Sequence, residues 1–329
     1  MLQYIGETAF ITTYFLAFDI LQRNELTIFI MPSEDGGMEL DMKKSYREEY
    51  VGVFGYPVDE NPTVVVAQTA FKDLGIPWRY LTILVKPEEL KNALQAVRAL
   101  NFKGIHLTIP HKVEAMKYLD EVSEEASIMG AVNTVVNNNG ILRGENTDGK
   151  GFIKSVLNAG VDLKGRKITM LGAGGAARAI AVELCRESVG EVVIINRSEE
   201  RGINLFELIS NNFSTKVSFR KWTPKMRIDE DTDIIVNTTS IDLYPDVDAK
   251  PDIDFDSILP KMVVCDVIPN HPHTQLLKEA EKRGAKTIDG LGMLINQCVE
   301  SIRMWSGEVA DAEKMRKALA HEYGIDVHY

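Results

Sequence analysis

The chain reads as an α/β protein: an N-terminal α/β unit with a mostly parallel sheet, followed by a doubly wound unit. Three observations carry that expectation. From residue 50 onward, short apolar runs bounded by Gly and Pro alternate with stretches of helical spacing. A glycine-dense turn at 172–175 joins an apolar run to an alanine-rich one. Past that turn the same alternation continues, as a doubly wound sheet requires.

Size and composition set bounds. A chain of 329 residues suits two domains, each large enough for its own core. Hydrophobic content of 45% and charged content of 26% are those of an ordinary globular protein. A net charge of −11 argues against nucleic acid or an anionic membrane as the main partner, because both favour a basic face. Cys185, Cys265 and Cys298 lie far apart in apolar or helical contexts, which reads as reduced, buried thiols of a cytosolic protein. His271 and His273 flank a proline in a loop, and no metal-ligand spacing joins them to Cys or other His, so no metal site is expected.

Residues 1–45 are read as an N-terminal extension of uncertain role. Its apolar run, 9–18, ends at Asp19 and is too short to cross a bilayer. Neither a basic leader region nor a small-residue cleavage site accompanies it. Two readings stay open: a stretch added by an upstream start, with Met38 and Met42 as later candidates, or an amphipathic surface helix.

The first unit, 46–150, begins with a strand at 51–58, a helix at 63–74 and a strand at 78–85. A helix follows at 87–100, with Pro87 suited to its first position. A strand at 104–109 is closed by Pro110, and helical stretches follow at 113–119 and 123–128. Runs at 131–136 and 141–144 form a hairpin across 137–140. A loop at 146–151 then leads into a helix at 152–159. In the second unit, 151–292, strands are expected at 168–171, 191–196, near 217–219, 233–238, 262–267 and 287–288, with an amphipathic helix at 275–283. Helices at 293–306 and 310–323 complete the chain, and 293–329 is expected to pack back on the first unit.

The glycine turn carries the first chemistry. In KITMLGAGGAARAIA, 167–181, Gly172 permits a tight turn, Gly174 lets backbone approach a pyrophosphate, and the small Ala177 lets helix and strand pack closely. The helix N-terminus then offers unpaired N–H groups to phosphate. Gly172, Ala173, Gly174, Gly175 and Ala176 are therefore dinucleotide-binding candidates, with a plain structural turn as the alternative. The next strand selects the dinucleotide. An NAD-type strand ends in Asp or Glu to hold the ribose 2′-hydroxyl. Here it ends in Asn196, Arg197 and Ser198, with Arg201 one helical turn on. Two guanidinium groups suit a 2′-phosphate. A solvated basic helix start is the blander alternative, but cations there oppose the helix dipole, and Glu199 and Glu200 offset them only in part. NADP is the expected cofactor.

Taken together, GIHLTIPHK (104–112), GAVNTV (130–135), GENTDGKG (144–151), LGAGGAARA (171–179), NRS (196–198), NTTS (237–240) and DGLGMLINQ (289–297) resemble the shikimate/quinate dehydrogenase family, over residues 51–307. The resemblance implies a first domain that binds a hydroxylated cyclic acid and a Rossmann-type second domain that binds NADP(H). It implies NADP-dependent interconversion of 3-dehydroshikimate and shikimate, a step of aromatic amino acid biosynthesis, by a cytoplasmic monomer or homodimer. It assigns catalysis to Lys112 and Asp148, substrate binding to Asn61, Thr63, Thr108, Asn133 and Gln297, and cofactor contacts to Thr239, Gly290 and Met293 beside the glycine turn and strand tip.

The residue chemistry agrees. Reducing a ketone needs a hydride donor and a proton source. Lys112 follows the strand-ending Pro110, and Asp148 lies in the loop joining the units, so both are expected to face an interdomain cleft. An ammonium can donate to a developing alkoxide while a carboxylate positions it. A surface salt bridge is the alternative reading of the pair.

Three positions depart from the family pattern. The family's S-x-S carboxylate clamp is replaced by Asn61-Pro62-Thr63, a tyrosine after the D-x-x strand end by Pro269, and an asparagine in G-x-N-x-T by His106. Mismatched polar groups in a binding site discriminate strongly between substrates. Quinate or another hydroxylated cyclic acid therefore stands as an alternative substrate, and a ligand-sensing homologue without turnover as an alternative function.

Overall fold

The computed structural model describes residues 29–32, 38–41, 47–243 and 246–325. The chain divides into two compact units, Met1–Glu48 and Glu49–Tyr329. In the first, β1 (Phe29–Pro32) and β2 (Met38–Asp41) pair antiparallel, Phe29 opposite Asp41. The rest of the 1–45 extension, including the 9–18 run and Met42, lies outside the described residues.

The second unit holds two six-stranded sheets. The first is built from β3 (Glu49–Gly55), β4 (Trp78–Leu84), β5 (Gly104–Leu107), β6 (Glu121–Val122), β7 (Thr134–Asn138) and β8 (Ile141–Glu145), in the order β4-β3-β5-β7-β8-β6. β3 pairs parallel with β4 and β5, and β6 with β8. The β7–β8 hairpin brings the two antiparallel pairings. Burial follows position. β3 is buried from Val51 to Gly55 because strands cover it on both edges and helices on its faces. Edge strand β4 leaves Arg79, Leu81 and Thr82 exposed. Asn137 Oδ1 accepts the Gly140 N–H at 2.7 Å, which closes the hairpin turn.

The second sheet comprises β9 (Lys167–Leu171), β10 (Glu191–Asn196), β11 (Lys216–Lys221), β12 (Ile234–Asn237), β13 (Val263–Asp266) and β14 (Lys286–Ile288), all parallel, in the order β11-β10-β9-β12-β13-β14. Counted from its own first strand this is 3-2-1-4-5-6, with the strand order reversing between β9 and β12. Its central strands are Val/Ile-rich and almost wholly buried, as a sheet covered on both faces demands.

The helices are α1 (Thr63–Leu74), α2 (Leu90–Ala99), α3 (His111–Glu114), α4 (Glu124–Met129), α5 (Asp148–Asn158), α6 (Gly175–Arg186), α7 (Glu199–Asn212), α8 (Gln275–Lys282), α9 (Leu291–Ser306) and α10 (Ala312–Tyr323). α9 and α10 bury Ile295, Cys298, Ile302, Met315 and Leu319 with Val51, Val66 and Phe71 of β3 and α1. α9 also crosses α5 closely. A Cβ on Gly151 would stand 2.7 Å from both Gln297 N and Met293 O, so only glycine permits that approach.

Some boundaries differ from expectation. The strand expected at 104–109 ends at Leu107, and α3 begins four residues on, at His111. The short β6 carries too few residues for a periodic signal. Asp148 is not a loop residue; it is the first residue of α5. Asn146 Oδ1 accepts the Asp148 N–H at 3.1 Å, and a carboxylate in the first turn is favoured by the helix dipole. Among the described residues no helix is long and apolar enough to cross a membrane.

Candidate active site

The C-terminal end of β5, the starts of α3 and α5, the β13–α8 segment and the start of α9 surround one cavity. Lys112 reaches it from α3 and Asp148 from α5, and Lys112 Nζ donates to Asp148 Oδ2 at 2.6 Å. The lysine side chain is 28% exposed and the aspartate 12%, so water reaches the ammonium from the cavity side while the carboxylate is largely enclosed. An ion pair this far out of solvent is a positioned pair, distinct from the exposed surface pairs that contribute little.

Asp148 is held from its other oxygen as well. Asn133 Nδ2 donates to Asp148 Oδ1 at 2.8 Å, and Asn133 Oδ1 accepts the Thr147 N–H at 2.7 Å. The Asn133 amide is therefore oriented by backbone, and it orients the carboxylate in turn. Behind it, the hydroxyls of Thr134, Thr147 and Ser301 meet: Thr134 to Ser301 at 2.9 Å, Thr147 to Ser301 at 3.2 Å. Ser301 Oγ also donates to Gln297 O at 2.9 Å within α9, and its contacts with the Thr134 and Thr147 hydroxyls tie that helix to β7 and the start of α5. Gln297 Oε1 lies 3.4 Å from Asn133 Nδ2, and its own amide nitrogen donates to Leu294 O. Gln297 sits in the second turn of α9, which begins at Leu291, two residues before the expected start at 293.

Asn61, Thr63 and Thr108 line the same cavity, with Gly290 and Met293 on its far wall. Asn61 Oδ1 accepts the Thr63 N–H at 3.0 Å, fixing which face of its amide is free. Pro269 and His106 line it too. His106 is buried, and burial holds its pKa down at about 3, so the ring is neutral.

The other half of the predicted set lies along the carboxyl edge of the second sheet. Gly172 has φ +111°, and a Cβ there would stand 2.5 Å from Thr238 Oγ1, so both backbone and space require glycine. Nothing lies within 4 Å of where Cβ atoms of Gly174 and Gly175 would stand, leaving an open cradle over the start of α6. α6 has no side-chain cap, so its first N–H groups are free for an anion. Ala173 and Ala176 complete the turn, and Thr239 borders it, its hydroxyl donating to Asn237 Oδ1 at 2.7 Å.

At the tip of β10, Asn196 Nδ2 donates to Ser198 O at 2.7 Å, and Ser198 Oγ caps α7 by accepting the Arg201 N–H. Arg197 and Arg201 are exposed, and among the described residues neither side chain has an ion-pair or hydrogen-bond partner. Glu199 instead pairs with Lys221 at 3.4 Å, so the two guanidinium groups keep an excess of positive charge. An open cradle, an uncapped helix and two unpaired arginines fit a dinucleotide carrying an extra phosphate.

Every residue assigned to catalysis or substrate from the sequence meets in the one cavity, with Gly290 and Met293; the remaining cofactor candidates form the adjoining edge. Sequence reasoning missed Thr134, Thr147 and Ser301. Thr147 lies inside GENTDGKG, and Ser301 is four residues after Gln297, one helical turn on, but no local spacing links them to Thr134.

The chain is similar to known proteins along most of its length. Family models match at 53–135 (shikimate dehydrogenase substrate binding domain), 154–244 (shikimate / quinate 5-dehydrogenase) and 290–320 (shikimate 5′-dehydrogenase C-terminal domain). The shikimate dehydrogenase (NADP(+)) of Desulforamulus reducens is 38% identical over 277 residues, 83% of this chain and 95% of that one. A crystal structure of a shikimate dehydrogenase in complex with NADP+ superposes with a TM-score of 0.80 at 37% identity, covering 84% of this chain and 96% of the other. The ligand-free 5-ketofructose reductase of Gluconobacter sp. strain CHM43 matches with a TM-score of 0.80 at 37% identity, over 84% of this chain and all of that one (100%).

Proposed function

The chain belongs to the shikimate dehydrogenase family, and from that premise we propose how its residues interconvert 3-dehydroshikimate and shikimate as an NADP-dependent oxidoreductase acting on a CH–OH group. The observation that carries the reading is the enclosed Lys112–Asp148 pair in a cavity that Met293 and Gly290 border from the nucleotide side.

NADPH, when bound, supplies the hydride. Gly172, Ala173, Gly174, Gly175 and Ala176, with the α6 N-terminus, would hold its pyrophosphate, and Arg197 and Arg201, beside Asn196 and Ser198, its 2′-phosphate. Thr239, Gly290 and Met293 would border the remainder. In the reduction direction, charge develops on the ring oxygen. The Lys112 ammonium hydrogen-bonds that oxygen, stabilises the growing negative charge and transfers its proton. In the reverse direction the neutral amine accepts the proton from the hydroxyl. Asp148 holds the amine in place through the hydrogen bond to its Oδ2. Asn133, Thr108 and Gln297 hydrogen-bond the ring hydroxyls, while Asn61 and Thr63 face the acid end. In this reading residues 46–150, joined by 293–329, form the substrate domain and 151–292 the nucleotide domain, in a cytoplasmic monomer or homodimer without nucleic-acid or membrane partners.

A second reading keeps the reaction and changes the substrate. Asn61-Pro62-Thr63 and Pro269 favour it, since an amide replaces one family hydroxyl, Thr63 adds a methyl group beside another, and Pro269 removes a phenol. One assay separates the readings: absorbance of the reduced nicotinamide with shikimate, quinate and 5-ketofructose, each with NADP(H) or NAD(H). The highest kcat/KM is expected for shikimate with NADP. Turnover of quinate or the keto-sugar without shikimate would move the substrate assignment. Binding without turnover on any of them would identify a sensing homologue.

A further inference from the structure

The run GIHLTIPHK sets a histidine directly before the proposed proton donor, and the chemistry above leaves that histidine unused. Of the four residues of α3, His111 alone is buried, at 1% exposure. Its neighbours anchor little: Ile109 is 69% and Val113 63% exposed, and Pro110 is exposed as well. Ala115 is buried just beyond the helix, but it brings only a methyl group to the core. α3 has no side-chain cap, and a single turn is too short to hold its place by its own hydrogen bonds.

His111 supplies the anchor. Its Nε2 lies 2.8 Å from Val85 O. A carbonyl oxygen only accepts, so Nε2 carries the hydrogen and donates it. Val85 is itself fixed: its N–H donates to Gly55 O at 3.0 Å, and its side chain lies in the core with Phe54, Leu90 and Leu107. The segment entering β7 holds the next residue, because Lys112 O accepts the Val132 N–H at 2.8 Å. The lysine is thus fixed from the β4 end through His111, from the approach to β7 through its own carbonyl, and from α5 through Asp148 at 2.6 Å. Reacting geometry tolerates little displacement: a misplacement of about 1 Å can cost about 100-fold in rate.

We propose that His111 is a positioning residue for the proton transfer, its Nε2–H bond to Val85 O setting the Lys112 backbone where Nζ reaches both Asp148 and the ring oxygen. This rests on the functional reading above and adds to it a residue that acts through Lys112. His111 is not a second proton carrier. Its ring does not line the cavity, and its N–H is occupied by Val85 O.

Steady-state kinetics of the full chain with shikimate and NADP provide the test, as a double-mutant cycle with Lys112. His111→Leu, which fills the site without a donor, should lower kcat about 10- to 100-fold and leave the Kd for NADP unchanged. His111→Gln should restore most of kcat, because its amide nitrogen stands as many bonds from Cβ as Nε2 does and can donate to Val85 O. The kcat–pH profile of that variant should keep the parent's shape, since His111 carries no proton in the reaction. In a Lys112→Ala background, His111→Leu should cost nothing further, because the group it positions is gone. An unchanged kcat in His111→Leu, no recovery in His111→Gln, or the same proportional loss with and without Lys112 overturns the proposal while the function stands. Should His111→Leu fail to fold, His111→Gln still decides: it keeps both volume and donor, so a folded glutamine variant with kcat as low as that of Lys112→Ala overturns the proposal, and near-parent kcat supports it. Failure of the unaltered chain to turn over shikimate brings down both readings, and is seen before any variant is made.

Discussion

The two ends of the active site are built on opposite terms. At the reacting end, Lys112, Asp148, Asn133, Thr147, Thr134, Ser301 and Gln297 are joined into a buried network spanning β7, α5 and α9. At the nucleotide edge, the cradle over Gly174 and Gly175 is open, α6 has no side-chain cap, and Arg197 and Arg201 stand in solvent without partners among the described residues. The difference reflects what each end must bind. A group that transfers a proton has to be held within tenths of an ångström before the ligand arrives, so the protein supplies its partners. A polyanion brings its own strong acceptors, so donors for it are best left unsatisfied at the surface, where water solvates them until binding.

Substitutions can break that contrast, and the largest effect is expected at the closed end. Lys112→Ala should lower kcat by about 10²- to 10⁴-fold, the usual contribution of a positioned acid–base group, with the Kd for NADP unchanged by fluorescence titration. Normal turnover in that variant would remove the proposed proton donor. At the open end, Arg197→Ala combined with Arg201→Ala should raise KM for NADP about 10- to 100-fold and leave KM for NAD unaltered, because only the 2′-phosphate contact is lost. Equal losses with both cofactors would mean that the arginines serve the fold or the pyrophosphate instead.

Proton linkage sharpens the same comparison. His106 has a folded pKa of about 3 against the ordinary 6.5, mainly through burial. Between those values the unfolded chain binds a proton that the folded chain refuses. This contribution to stability is therefore complete above pH 6.5 and is lost as pH falls toward 3, with a slope approaching ~1.4 kcal/mol per pH unit. Urea unfolding at a series of pH values should show His106→Asn losing stability less steeply on acidification than the parent. Parallel curves would show that the ring is solvated in the folded state. The smallest effect is expected behind the network: Ser301→Ala should cost about 1–3 kcal/mol of stability, read from the same unfolding curves, and change kcat only a few-fold. Loss of turnover as large as that of Lys112→Ala would move Ser301 into the chemistry itself.

Much of this organisation is legible in local sequence, for identifiable reasons. The Gly172–Gly175 turn is readable because only glycine suits a φ of +111° and a backbone opened to a phosphate. Arg197 and Arg201 are readable because their meaning depends on the strand tip they follow, a few residues away. Gln297 and Ser301 are different: their relation to Asp148 depends on the α5–α9 crossing at Gly151, which no periodicity announces. Asp148 was expected in a loop for a related reason. The helix start at that point depends on an Asn146 side chain turned back to the backbone, and an N–T–D–G run reads equally well as a turn.

By itself, then, the order of residues determined the α/β class, the parallel second sheet, the nucleotide turn and the identity of the ionisable pair. The first three rest on spacing within successive strand–turn–helix units, where spacing and conformation are directly coupled, while the pair, 36 residues apart, is picked out by the family resemblance of its two motifs. Tertiary structure alone decided that Asn133 fixes Asp148, that three hydroxyls from separate elements close the network behind it, and that Tyr80 meets His106 on the cavity wall. Those contacts join residues up to 167 positions apart. Their geometry is set by how helices and sheets pack, and packing is a property of the whole core that no single segment carries.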